Sequence, residues 1–194
     1  MIHPATAGGG ALARMRASLR PLHDQIEATL DLMTPQLDRA RYQRFLERSF
    51  GFISACEARV DSAAAPPSLD LSGRLKSPLL RADLMELGHT DATLRALPSP
   101  ARLPNVGEWP AALGYFYVIE GSTLGGQIIA RHLRATLDLD HAMAFLGDGR
   151  ADVGPRWKRM RAVLVATMAD DQSERDITAS AAQTFDLLRQ WHAA

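Results

Sequence analysis

The chain has 194 residues, 46% of them hydrophobic and 23% charged, enough for one domain with a full core. Lys+Arg and Asp+Glu number 22 each, so the net charge is zero and no bulk attraction to nucleic acid or to an anionic membrane is expected. A single cysteine, Cys56, excludes an internal disulfide and suits a reducing cytoplasm. Residues 1–10, MIHPATAGGG, lack the apolar run of a leader and read as a flexible arm, and no run reaches membrane-spanning length. From Ala11 to about Leu32, Leu12, Leu19, Leu22, Ile26 and Leu30 form one helical stripe that contains His23. Pro21 interrupts this stripe and either kinks the helix or opens its second half. Asp38 caps a second helix, Arg39 to about Val60, and Pro66-Pro67 marks the connection that follows. Ser77-Pro78 opens a short helix that stops at Gly88, and Thr90 to Leu97 adds a further turn. A long helix covers Gly114 to Arg134. A loop around Gly147, Gly149 and Gly154-Pro155 leads to another, Arg156 to Met168. Ser173 is expected to cap the last helix, striped by Ile177, Ala181, Phe185, Leu188 and Trp191. No stretch alternates with period two. The expected fold is all-α, a compact helical bundle over residues 11–194.

The long helix, GYFYVIEGSTLGGQIIARHLR, places Tyr117, Leu124, Ile128 and Leu133 near helical spacing but also carries Gly121, Gly125 and Gly126. Each interior glycine costs about 1 kcal/mol relative to alanine. Gly121 and Gly125, four apart, share a face of bare backbone. Such a face suits a flat ligand or a close helix crossing.

His23 is either a core histidine or a metal ligand. Glu27, four residues on, lies within reach of the imidazole, in the position of a carboxylate that fixes a ligand's tautomer. Arg16, about two turns earlier, can pair with a ligand carboxylate. Glu86-Leu-Gly-His89 has the Glu-x-x-His spacing of di-iron bundles but no second copy. No H-E-x-x-H, C-x-x-C, C-x-x-C-H or dinucleotide glycine motif is present. Cys56 is either a nucleophile or a buried, inert thiol.

Arg16-Ala-Ser-Leu-Arg-Pro-Leu-His-Asp-Gln-Ile-Glu27 resembles the proximal helix of haem oxygenases, and Tyr117-Val-Ile-Glu-Gly-Ser-Thr-Leu-Gly-Gly-Gln127 resembles their distal helix. The particular variants are similar to those of bacterial haem oxygenases associated with bacteriophytochromes, as is the neighbourhood of Trp157 and Lys158. The resemblance spans about residues 11 to 192. It implies an all-α fold that clamps haem between two helices, with His23 as iron ligand and Glu27 as its hydrogen-bond partner. Gly121 and Gly125 would lie against the haem face beside Tyr117 and Ser122, and Gly126 would add flexibility. Arg16, with Lys158 or Arg161, would meet the haem propionates. The activity implied is cleavage of haem by O2 to biliverdin, CO and ferrous iron. With no flavin or iron–sulfur motif, the electrons would come from a separate ferredoxin or flavoprotein reductase, and the biliverdin would feed a phytochrome or accompany iron release.

A neutral imidazole does not push O–O cleavage as a thiolate does, and a distal side made of backbone favours oxidation of the porphyrin itself. The chain departs from the family in having no aspartate between Gly121 and Arg134, where Ser122 and Gln127 are the nearby polar residues; Phe116 stands where some members have tyrosine. That departure motivates the alternative of a non-catalytic haem-binding protein. A weaker alternative is a thiaminase-like enzyme of related fold using Cys56.

Overall fold

A computed structural model describes residues 4–194 apart from 63, 72, 140 and 148–150; for residues 4–8 only the backbone is described. Gly149, placed in a loop from sequence, lies outside the described residues. Among the described residues there are seven helices and no strand. The first, α1, runs Pro4–Leu30. It starts seven residues before the apolar stripe and passes through Gly8, Gly9 and Gly10, the part expected as an arm. Pro21 sits inside it without ending it, although its nitrogen cannot donate to the Ala17 carbonyl. Leu12, Met15, Leu19 and Ile26 are buried.

Local chemistry explains the next boundaries. Asp38 caps α2, Arg39–Glu57, by accepting the Arg41 N–H at 2.7 Å. Pro78 lies in the first turn of α3, Ser77–Glu86, where its missing N–H is harmless. That helix ends in a Schellman turn. His89 N–H reaches the Leu84 carbonyl, Gly88 N–H reaches Met85, and Gly88 has φ +97°. A capping box between Thr90 and Thr93 starts α4, Asp91–Arg95. The long α5 covers Ala112–Leu137. α6, Val153–Thr167, takes Gly154-Pro155 into its first turn instead of leaving them in a loop. The last helix, α7, runs Asp171–Ala193 and is capped by Asp170, correcting the assignment of that role to Ser173. Ser173 sits one turn in and donates its N–H (2.9 Å) and hydroxyl (2.7 Å) to the Asp170 carboxylate.

α7 is the shared support. Both α1 and α5 pack along it and α6 touches both, while α1 and α5 hardly meet. α5 crosses α7 closely at Gly114. A Cβ there would stand 2.3 Å from the Ile177 carbonyl oxygen and 2.6 Å from the Ala181 nitrogen. The glycine needed for helix packing is therefore neither Gly121 nor Gly125.

The segment between α5 and α6 is fastened from the other side. Asp83 accepts the Ala144 and Phe145 N–H groups, both at 2.8 Å. Glu86 accepts Ala142 N–H at 2.6 Å, and the Tyr42 hydroxyl donates to the Ala142 carbonyl at 2.7 Å. His89 pairs instead with Glu47 at 2.9 Å, so Glu86 and His89 do not converge on a metal. No helix among the described residues is long and apolar enough to cross a membrane.

Candidate haem cleft

The helices α1 and α5 carry most of the residues singled out from the sequence. His23 is half exposed (50%) on α1, and its ring meets the edge of Phe185 from α7, with centroids 6.0 Å apart and planes at 76°. Nε2 lies 3.6 Å from Glu27 Oε1, and Nδ1 lies 3.8 Å from Asp24 Oδ1. Both separations exceed a hydrogen bond. Among the described residues the imidazole therefore stands between two carboxylates with neither nitrogen hydrogen-bonded, and His23, Asp24 and Glu27 keep their ligand atoms within 4.8 Å of one another. Asp24 was not picked out from sequence, because adjacent residues on a helix do not share a face; it also accepts from Arg20 Nε at 2.8 Å.

On the α5 side the three glycines separate. A Cβ on Gly125 would meet nothing within 4 Å. One on Gly121 would meet only the edge of Trp157, at 3.5 and 3.6 Å, ordinary contact distances. Gly126 is different: a Cβ there would fall 2.5 Å from the Leu146 carbonyl oxygen. Gly126, expected to add flexibility, is buried, and its missing side chain makes room for the loop. Gln127 likewise turns to the loop, donating to the Gly147 carbonyl at 3.2 Å.

Leu124 and Ile128, placed near helical spacing by the sequence, are 40% and 54% exposed. With Gly125 they form an apolar face that no part of the described chain covers. Ser122 is exposed there too, its hydroxyl donating to the Ile119 carbonyl at 2.8 Å. Phe116 is buried against Trp109 and Tyr115, away from the cleft. Tyr117 packs on Trp157 of α6 with centroids 5.5 Å apart. Burial raises its phenol above the ordinary range, and the Arg16 charge acts against that from α1. That influence spans the two helices at one end of the gap. Lys158 and Arg161 are exposed on α6, and among the described residues neither they nor Arg16 makes an ion pair.

Cys56 is fully buried, and burial pushes its thiol up to about 12. A thiol held protonated away from solvent is no nucleophile. The cleft contents, by contrast, fit a flat, apolar, anionic metal complex: an uncommitted imidazole, bare backbone, exposed aliphatic side chains and free cations.

The family described as Heme oxygenase matches residues 10–194. The chain belongs to the haem oxygenase family. A haem oxygenase of Xanthomonas campestris is 39% identical over 115 residues, 58% of this chain and 64% of that protein, so the match spans just under two thirds of the relative. Heme oxygenase PigA of Pseudomonas aeruginosa is 26% identical over 170 residues, 84% of this chain and 82% of the relative. Among solved structures, haem oxygenase from Leptospira interrogans superposes with a TM-score of 0.79 at 20% identity, covering 99% of both chains. The NO- and CO-bound haem oxygenase of Neisseria meningitidis gives 0.76 at 21%, covering 94% of this chain and 92% of that one. These superpositions bear out the all-α fold, and the family is one of enzymes that oxidatively cleave haem.

Proposed function

We propose that this chain takes haem into the α1–α5 cleft and cleaves it with O2 and external electrons to biliverdin, CO and ferrous iron. The observation that supports this reading is the half-exposed His23 on α1 together with the open backbone of Gly125 on α5. When bound, haem supplies both the oxygen-activating iron and the macrocycle that is opened.

The chain's own residues do the rest. His23 as neutral imidazole would hold the iron through one ring nitrogen, and Glu27 would accept a hydrogen bond from the N–H of the other once the ring turns, fixing the tautomer. Gly121 and Gly125 let the α5 backbone lie against the porphyrin face and limit which edge is open to attack. The Ser122 hydroxyl, already donating to Ile119, keeps its lone pairs for an ordered water. Leu124, Ile128 and Trp157 keep bulk water out. Arg16, Lys158 and Arg161 meet the propionates. Electrons come from a separate ferredoxin or flavoprotein reductase. By its helix motifs the product serves a phytochrome, and the buried single thiol suits work in the cytoplasm.

The test is haem titration followed by reduction in air. The reading requires a histidine-ligated spectrum, then loss of the haem bands with release of CO and biliverdin. A non-catalytic haem-binding role is the second reading, favoured by the described cleft face of α5 carrying Ser122 and no carboxylate. A stable haem complex that releases no CO under reductant would select it.

A further inference from the structure

Behind the cleft, three charged side chains are buried together. Glu120 and Arg74 are each 4% exposed, and Arg156 is 8% exposed. Glu120 stands on α5 immediately before Gly121. Arg156 stands on α6 immediately before Trp157, the residue whose ring lies on Gly121. Arg156 Nε donates to Glu120 Oε1 at 3.1 Å, and its Nη2 donates to the Gly73 carbonyl. Arg74 Nη1 approaches Glu120 Oε2 at 3.4 Å but is not aligned for a hydrogen bond; that atom, Arg74 Nε and Glu120 Oε2 are all left without hydrogen-bond partners. Asp152 reaches Arg156 only at 4.0 Å and is half exposed.

A buried ion pair is weak evidence for stability, because desolvation offsets the attraction, but it specifies one arrangement of the elements that carry it. Here those elements are α5 and α6, and the pair lies one residue from their contact at the cleft. A slip of α6 along α5 would separate Arg156 from Glu120 in a dry environment. The same slip would carry Trp157 off Gly121 and Tyr117.

We propose that Glu120 and Arg156 are positioning residues that hold Trp157 on Gly121 and thereby fix the wall against which haem is set. They touch no haem and act through Trp157. Arg74 balances the charge of the site without fixing the register: among the described residues its side chain makes no hydrogen bond to the Gly73 carbonyl that anchors Arg156, and it meets Glu120 without an aligned hydrogen bond. The proposal rests on the haem-cleft reading for its catalytic consequence; its structural half stands without haem.

The experiment labels the protein with 5-fluorotryptophan and follows the Trp157 resonance by fluorine NMR in the apo protein, with W157F giving the assignment. The biliverdin isomer ratio is then measured by chromatography after turnover. R156M should shift or broaden the Trp157 resonance and change the isomer ratio several-fold, whereas R74M should leave both as in the unsubstituted chain. Should R156M fail to fold, E120Q replaces it, keeping the shape while removing the charge that Arg156 meets. An unmoved Trp157 resonance in folded R156M or E120Q would overturn the proposal, as would R74M moving it equally. A normal resonance shift in a protein that yields no biliverdin even without substitution would leave the positioning role intact and defeat the haem-oxygenase reading instead.

Discussion

Gly125 and Gly126 are neighbours with opposite surroundings, and alanine at each should have opposite effects. At Gly125 the added methyl meets nothing within 4 Å. The helix then gains about 1 kcal/mol from the better helix former. For a domain of this size 1 kcal/mol moves the melting temperature by about 2–4 °C, so apo Gly125→Ala should melt higher by that amount. At Gly126 the methyl falls 2.5 Å from the Leu146 carbonyl oxygen, and backbone has to move. Overpacking of this kind costs about 1–3 kcal/mol, which lowers the melt by about 2–12 °C. The haem complex should show the reverse order. On the proposed reading Gly125→Ala sets its methyl against the porphyrin face, so it should bind haem but turn over poorly or divert from biliverdin. Gly126→Ala, if folded, should keep its product. The assay is calorimetry of both apo variants, followed by product analysis after reduction in air. Destabilisation of apo Gly125→Ala to the same extent as Gly126→Ala, with normal biliverdin yield, would refute the assignment of the open glycine face to haem.

His23→Ala should lose the histidine-ligated absorption spectrum and turnover while far-UV dichroism stays unchanged, since the side chain is half exposed. Glu27→Ala should lower haem affinity or activity about 10–100-fold and shift the iron–histidine stretching frequency seen by resonance Raman; an unshifted band with full activity would make Glu27 a surface carboxylate. Cys56 should resist alkylation in the native protein at pH 8 and react only on unfolding, and Cys56→Ala should keep turnover, because the thiol is buried and pushed up to about 12. Two buried groups should give opposing pH effects on stability. Burial raises Asp83 from 3.8 to about 6, so its native form holds a proton that the unfolded chain has lost, and stability falls as pH rises through that window. Burial, helped by Arg48, lowers His192 from 6.5 to about 4, so the unfolded chain binds the extra proton and stability is lost as pH falls from 6.5 towards 4. Each effect is on the order of 3 kcal/mol. They oppose one another between about pH 4 and 6. Denaturant melts of His192→Gln should therefore expose the falling Asp83 profile, and those of Asp83→Asn the rising His192 one.

The helices were legible because their signals are local: a 3.6-residue stripe, a side-chain cap such as Asp38, a left-handed glycine such as Gly88. Where two residues could serve one end, as Asp170 and Ser173 do for α7, spacing alone did not choose between them. The periodicity of Leu124 and Ile128 told which residues share a face but not what covers it, and an apolar face left open has the same spacing as a buried one. The same periodicity could have separated Gly126 from Gly121 and Gly125, since it lies five residues from the first and a different way round the helix. Phe185 beside His23, Trp157 on Gly121 and the Glu120–Arg156 pair are contacts between distant parts of the chain. No window of sequence contains them.

The way α1 and α5 are both mounted on α7 has a mechanical consequence. Their spacing is not set where a ligand sits but by the thickness of material between each of them and a common strut. At Gly114 that thickness is a bare hydrogen: a Cβ would fall 2.3 Å from the Ile177 carbonyl oxygen. Bulk added there, or on Ser180 opposite, would press α5 away from α7 while leaving the identity of every lining residue unchanged. The separation of α5 from α7 can thus be tuned at Gly114, at a position other than His23 and Gly125.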